Sequence, residues 1–140
     1  MLSTVTIAKV ISLAQSQMIP LPPDFLDSLL IEGDESHAVM ILMLSTNIIR
    51  IIPTKSSKTL KVVIEVSELS ATFLQELGIV FMHSKLKTLY STGLCFTHDT
   101  CVYEAYIDVH DLSLPVDQFK IELANIKGVS MVNIELLTME

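Results

Sequence analysis

KTLKVVIEVSELSATFLQELGIVFMH, residues 58–83, changes its hydrophobic period part-way through, and that change decides the fold of the second half of the chain. Over residues 58–66 apolar side chains alternate, with Leu60, Val62, Ile64 and Val66 on one face of an extended strand. After Ser67 the spacing becomes three and four, so Leu69, Phe73, Leu77 and Val80 or Phe81 share one side of a helix. Ser67 or Ser70 suits its N-cap, because a hydroxyl there accepts from a free N–H of the first turn. KTLYSTGLCF and CVYEAYIDVH follow as a hairpin. SLPVDQFKIELANIKG is a second helix, opened by Pro115 and closed by Gly128, and VSMVNIELL is a last strand. The order over residues 58–140 is βαββαβ, a split βαβ.

Upstream, PTKSSK at residues 53–58 is a short polar connector, and the grammar before it differs. TVTIAKVI alternates as a strand. Pro22 and Pro23 suit the start of a helix, Asp24 and Asp27 meet its positive end, and Phe25, Leu26, Leu29 and Leu30 form its stripe. EGDE closes that segment. HAVMILML and NIIRIIP then read as two strands around a turn at Ser45, Thr46 and Asn47. Residues 1–54 are thus strand, helix and hairpin, and the whole chain is α+β.

The chain has 140 residues, half of them hydrophobic and 18% charged, which is ample for a core. An apolar share that large in a small chain implies that some surface is hidden against another subunit. The net charge of −7 and pI near 4.9 disfavour polyanionic partners, because phosphate contacts need Lys or Arg. MLSTVTIAKVISLAQSQ shows no basic leader with an apolar block and cleavage site, and AVMILMLSTNII is too short to span a bilayer. The expectation is a soluble protein of the cytoplasm, away from membranes.

Cys95, His98 and Cys101 stand at three-residue intervals in LCFTHDTCVYE and invite a metal reading. A two-residue turn at His98-Asp99 pairs Phe96 with Cys101 and Cys95 with Val102. That register sends the thiols to opposite faces of the sheet. It excludes a shared metal and a disulfide alike, leaving Cys101 as a small buried hydrophobe and His98 as an exposed turn residue. Reduced thiols are the cytosolic default. No Ser-His-Asp motif, phosphate loop or paired carboxylates mark an enzyme, and no cofactor is implied.

Residues 4–54 resemble the swapped-hairpin domain of the AbrB, SpoVT and MazE group, on Ile19-Pro20-Leu21-Pro22, the helix ending Leu29-Leu30-Ile31, and Gly33-Asp34. The resemblance implies two chains that exchange hairpins into one β-barrel, hence a homodimer or a higher homo-oligomer. Residues 58–140 resemble an ACT domain, a ferredoxin-like regulatory module, on the element order and on Gly128-Val129 and Val132 in ANIKGVSMVNIELL. That resemblance implies a small effector such as an amino acid.

Both resemblances depart from their families at the sites. Positions that carry Lys or Arg in AbrB-type DNA readers are Pro23 and Leu26 here, and no Lys or Arg lies between Lys9 and Arg50. Only Lys9, Arg50 and Lys55 are available for phosphates, against Asp24, Asp27, Glu32, Asp34 and Glu35, so dimerisation without DNA binding is the favoured reading. The ACT loop glycine is absent from Ser67, Glu68, Leu69 and Ser70, and the second glycine position falls near His83 and Ser84. Ser67, Glu68, Ser70, His83 and Ser84 are the candidate ligand contacts. The expected function is a non-enzymatic homodimeric regulator that binds an amino acid or other small metabolite. The alternatives are a metabolite-responsive transcription regulator and a regulatory subunit of a separate enzyme. The outward sheet face with Val63, Cys95 and Val102 is the expected contact surface for a partner.

Overall fold

The computed structural model describes residues 5–13, 22–29, 37–86 and 88–139. Strands β1 (Thr6–Ser12), β2 (His37–Met43) and β3 (Ile48–Thr54) form an antiparallel sheet in that order, and helix α1 (Pro23–Leu29) lies between β1 and β2 in sequence. The second half runs β4 (Lys58–Val66), α2 (Ala71–His83), β5 (Thr88–Thr97), β6 (Thr100–Asp108), α3 (Val116–Ala124) and β7 (Val129–Thr138). Its four strands pair antiparallel in the order β5-β6-β4-β7, the split-βαβ arrangement expected for this half. The swapped-hairpin motif residues Ile19, Pro20, Leu21, Leu30, Ile31, Gly33 and Asp34 lie outside the described residues.

Local chemistry explains the element ends. Asn47 closes the β2–β3 turn at φ 59°, a left-handed conformation that asparagine tolerates better than bulkier residues. The Ser70 hydroxyl accepts from Phe73 N–H at 3.1 Å and caps α2. Gly128 turns the chain into β7 at φ +89°, where its carbonyl accepts from Ser67 N–H at 3.1 Å.

Helices α2 and α3 cover one face of the four-stranded sheet. Val62, Ile64, Ala105 and Ile107 from the strands meet Phe73, Leu77, Phe119 and Leu123 from the helices there, all buried. The ring centroids of Phe81 and Phe119 are 5.9 Å apart across the helix pair.

The opposite face is covered too, by the chain's own first sheet. Val5 packs with Val63 and Val102, and Val39 and Ile41 pack with Tyr106. Three layers result: two helices, a four-stranded sheet, and a three-stranded sheet. The sequence reading left the face of Val63 and Val102 open for a partner, but these residues are 4% and 1% exposed. Period-two alternation shows which side chains share a face; it is silent on which element covers that face.

The β5–β6 register also corrects an expectation. Thr97 pairs with Thr100, so the turn at His98 and Asp99 is as expected. An irregularity between Cys95 and Thr97 then shifts the ladder, pairing Cys95 with Cys101 and Leu94 with Val102. An extra residue on one strand moves every later side chain by one place.

Candidate functional site

The junction between the two sheets is built around Glu104, which is fully buried on β6. Its carboxylate accepts from Val5 N–H at 2.9 Å, from Thr6 N–H at 3.0 Å and from the Thr6 hydroxyl. Lys61 of β4 places its ammonium 3.8 Å from the same carboxylate and donates to the Thr6 carbonyl at 2.6 Å. Because the single hydroxyl hydrogen of Thr6 goes to Glu104, the Tyr106 hydroxyl, 2.7 Å away, donates to Thr6. Burial pushes the Tyr106 phenol up to about 12, and the Glu104 charge adds to that rise.

One turn of the ladder further on, buried Asp108 ties down the connector. Its carboxylate accepts from Lys55 N–H at 2.7 Å and Ser56 N–H at 3.4 Å, and from His110 N–H at 3.1 Å. Charged hydrogen bonds in a dry setting are stronger than neutral ones, and each partner left alone would be costly. Glu104 and Tyr106 are fully buried and Lys61 nearly so, which leaves no room for a substrate, and this cluster fastens one sheet to the other. Sequence reading did not single out Glu104 and Asp108; the signal that could have found the cluster is Lys61 on the same face of the neighbouring strand.

The outer face of the β1-β2-β3 sheet is the second notable surface. Register places Ile7 beside Leu42 and Lys9 beside Met40, and these beside Ile49 and Ile51. Lys9 is the one charged side chain among these described outward positions, while Ile7 and Ile49 are 50% and 52% exposed. The α1 stripe finds little cover: no residue of that helix is buried, and Phe25 is 60% exposed.

The five candidate ligand contacts do not converge within the chain. Ser67, Glu68 and Ser70 stand at the start of α2, whereas His83 and Ser84 stand at its far end. A helix of 13 residues separates them, about 20 Å at the α-helical rise. Ser70 is spent as the helix cap, and His83 Nδ1 lies 3.1 Å from Glu122 Oε1. Ser84 is fully buried, and its carbonyl accepts from the Ser113 hydroxyl at 2.6 Å. The three candidate phosphate contacts are also divided. Lys9 faces outward, while Arg50, paired with Ile41 and so with Ala8, faces the other way, and Lys55 follows β3 in the connector. Arg50 lies over the Tyr90 ring, 4.9 Å from its centroid, at the rim of a groove of about 250 Å³ between the β2–β3 turn and β5.

Cys95 and Cys101 form a disulfide across the hairpin, six residues apart in sequence. This corrects the reading of two thiols on opposite faces, for the bulge brings them opposite one another. Cys101 is buried as expected, at 1% exposure, while Cys95 and His98 are exposed. Among the described residues no group of three His, Cys, Asp or Glu is placed to hold a metal ion. Among the same residues no helix is long and apolar enough to cross a membrane.

No protein-family model matches the chain, and no curated protein is significantly similar to it. Similar solved structures include the P2 domain of the chemotaxis kinase CheA, in complex with the response regulator CheY, from the thermophile Thermotoga maritima. That likeness covers 57% of this chain and 98% of that one, at 12% identity and a TM-score of 0.40. At this level it bears on neither activity nor partners.

Proposed function

We propose that the protein is a non-enzymatic, homodimeric regulator of the cytoplasm, with the AbrB-like first half as its association surface and the ACT-like second half carrying the response to a small metabolite. One observation carries the dimer: the β1-β2-β3 sheet is apolar on both faces. Its inner face is covered by the four-stranded sheet, while Ile7 and Ile49 on the outer face remain half exposed. Sheets that are apolar on both faces are found covered on both, and an exposed apolar patch marks an association site. Hairpin exchange would serve equally well, because β2 and β3 could pair with the partner's β1 in the same register.

Sedimentation equilibrium over a wide concentration range tests this reading. The wild type sediments as a dimer, and Ile7→Lys combined with Ile49→Glu gives a folded monomer. A monomeric wild type removes the proposal. DNA binding through Lys9, Arg50 and Lys55 is the weaker reading, since Lys9 and Arg50 point to opposite faces and the net charge is −7. A catalytic partner on the same surface would reveal itself as a larger co-purifying polypeptide. Location is tested by alkylating thiols in intact cells. A pair held open by the reducing pool supports the cytoplasm, and a fully oxidised pair places the protein in an oxidising compartment.

A further inference from the structure

We infer that the groove between the β2–β3 turn and the edge strand β5 binds a small monocarboxylate with a branched apolar tail and no ammonium group. Arg50 sits at its rim with its guanidinium 4.9 Å from the Tyr90 ring centroid, which holds the cation in place without neutralising it. Among the described residues no carboxylate pairs with Arg50. A planar guanidinium beside an apolar cleft matches a carboxylate, to which it can donate two parallel hydrogen bonds.

The walls define the rest of the ligand. Val5, Met43 and Leu94 supply apolar lining, and Ser45 and Thr92, which carry hydroxyls, line the same groove as Arg50. Its volume of about 250 Å³ falls below the roughly 300–1,000 Å³ of sites for drug-sized molecules, so a short acid fits and a nucleotide does not. No Asp or Glu lines the groove, so the ammonium of an amino acid would give up water with no charged partner in return. A phosphate dianion would find one cation where it wants more. A short branched 2-oxo acid satisfies every constraint: its carboxylate meets Arg50, its oxo group accepts from a hydroxyl, and its tail lies against the apolar lining.

Such a ligand would touch both sheets at once, since Met43 and Arg50 belong to the first and Thr92 and Leu94 to the second. Binding therefore tightens their docking, which makes the groove a place where a metabolite is sensed. The sensing role rests on the regulatory reading above; the binding itself does not.

The test uses the full chain, titrated by calorimetry with 4-methyl-2-oxopentanoate, leucine, 4-methylpentanamide and inorganic phosphate. The oxo acid binds saturably, the amide and leucine bind about tenfold more weakly or worse, and phosphate does not bind. Arg50→Gln weakens the oxo acid by about tenfold or more, and Arg50→Lys restores part of the loss. Amide shifts in ¹⁵N spectra of the wild type fall on residues 43–50 and 90–94, a readout that needs no variant. No saturable binding, an amide or leucine that binds as well as the acid, an Arg50→Gln protein that binds unchanged, or shifts confined elsewhere overturns the inference. Mass measured on the same samples separates the two proposals. A dimer that binds nothing removes the groove alone, and a monomer that binds removes the dimer alone.

Discussion

Replacing Glu104 with alanine would test whether the two sheets are held by one buried carboxylate. The substitution removes the acceptor for two backbone N–H groups and the Thr6 hydroxyl, and takes from the largely buried Lys61 ammonium the carboxylate 3.8 Å away. Breaking a buried pair by removing one partner costs about 3–5 kcal/mol. Against a total stability of roughly 5–15 kcal/mol for a domain, that is a large share. The melting temperature should fall by about 10 °C, at about 2–4 °C per kcal/mol for chains near this length. Urea unfolding followed by far-UV circular dichroism is the suitable assay, as the chain has no tryptophan. Lys61→Met combined with Glu104→Leu should recover part of the loss, since it removes both charges together. A loss below about 1 kcal/mol for Glu104→Ala, or a double variant no more stable than the single one, would refute the argument.

Two other outcomes follow from the same geometry. Reducing the Cys95–Cys101 bond, which closes a loop six residues apart, should lower the unfolding free energy by about 2 kcal/mol, read as a shift in urea midpoint with and without reductant. Cys95→Ser should abolish that dependence, and an unchanged wild-type midpoint would contradict it. For Tyr106, whose folded value is raised to about 12 from 10.0, stability is fully present below pH 10 and is lost as pH rises toward 12, because the unfolded chain gives up its phenolic proton first. Tyr106→Phe should flatten that alkaline slope, with the residual slope due to Tyr103, which burial also raises against a Ser91 hydrogen bond. A slope identical in both proteins would show that Tyr106 is not the group responsible.

Element types were plain in the chain because each period was carried by strong residues. Leu60, Val62, Ile64 and Val66 alternate, Phe73, Leu77 and Phe81 recur at helical spacing, and these same residues form the core under α2 and α3. The β2–β3 hairpin was legible for the same reason, through its short polar turn at Ser45–Asn47. What failed was anything that depended on one extra residue or on a distant partner. The bulge near Phe96 leaves no signature in LCFTHDTCVYE, yet it decides whether Cys95 meets Cys101 or Val102. Nor could alternation reveal that Val63 and Val102 pack against Val5 and Met43, since that contact joins separate stretches of the chain, as do Thr6 and Glu104, 98 positions apart. The groove at Arg50 was hidden likewise. Its lining comes from three separate stretches, around Val5, Met43–Arg50 and Thr92–Leu94.

The placement of the four-stranded sheet as the middle layer bears on how this chain can be inherited. Residues 58–139 carry a whole βαββαβ unit, yet if they stood by themselves Val63, Val102 and Tyr106 would meet water, and Glu104 would lose its donors from Val5 and Thr6. The join at residues 53–58 therefore separates two sheets without separating two cores. A gene fragment encoding only the later portion would need its upper surface rewritten in polar residues before it could travel to a new protein, so the two portions are bound to be passed on together.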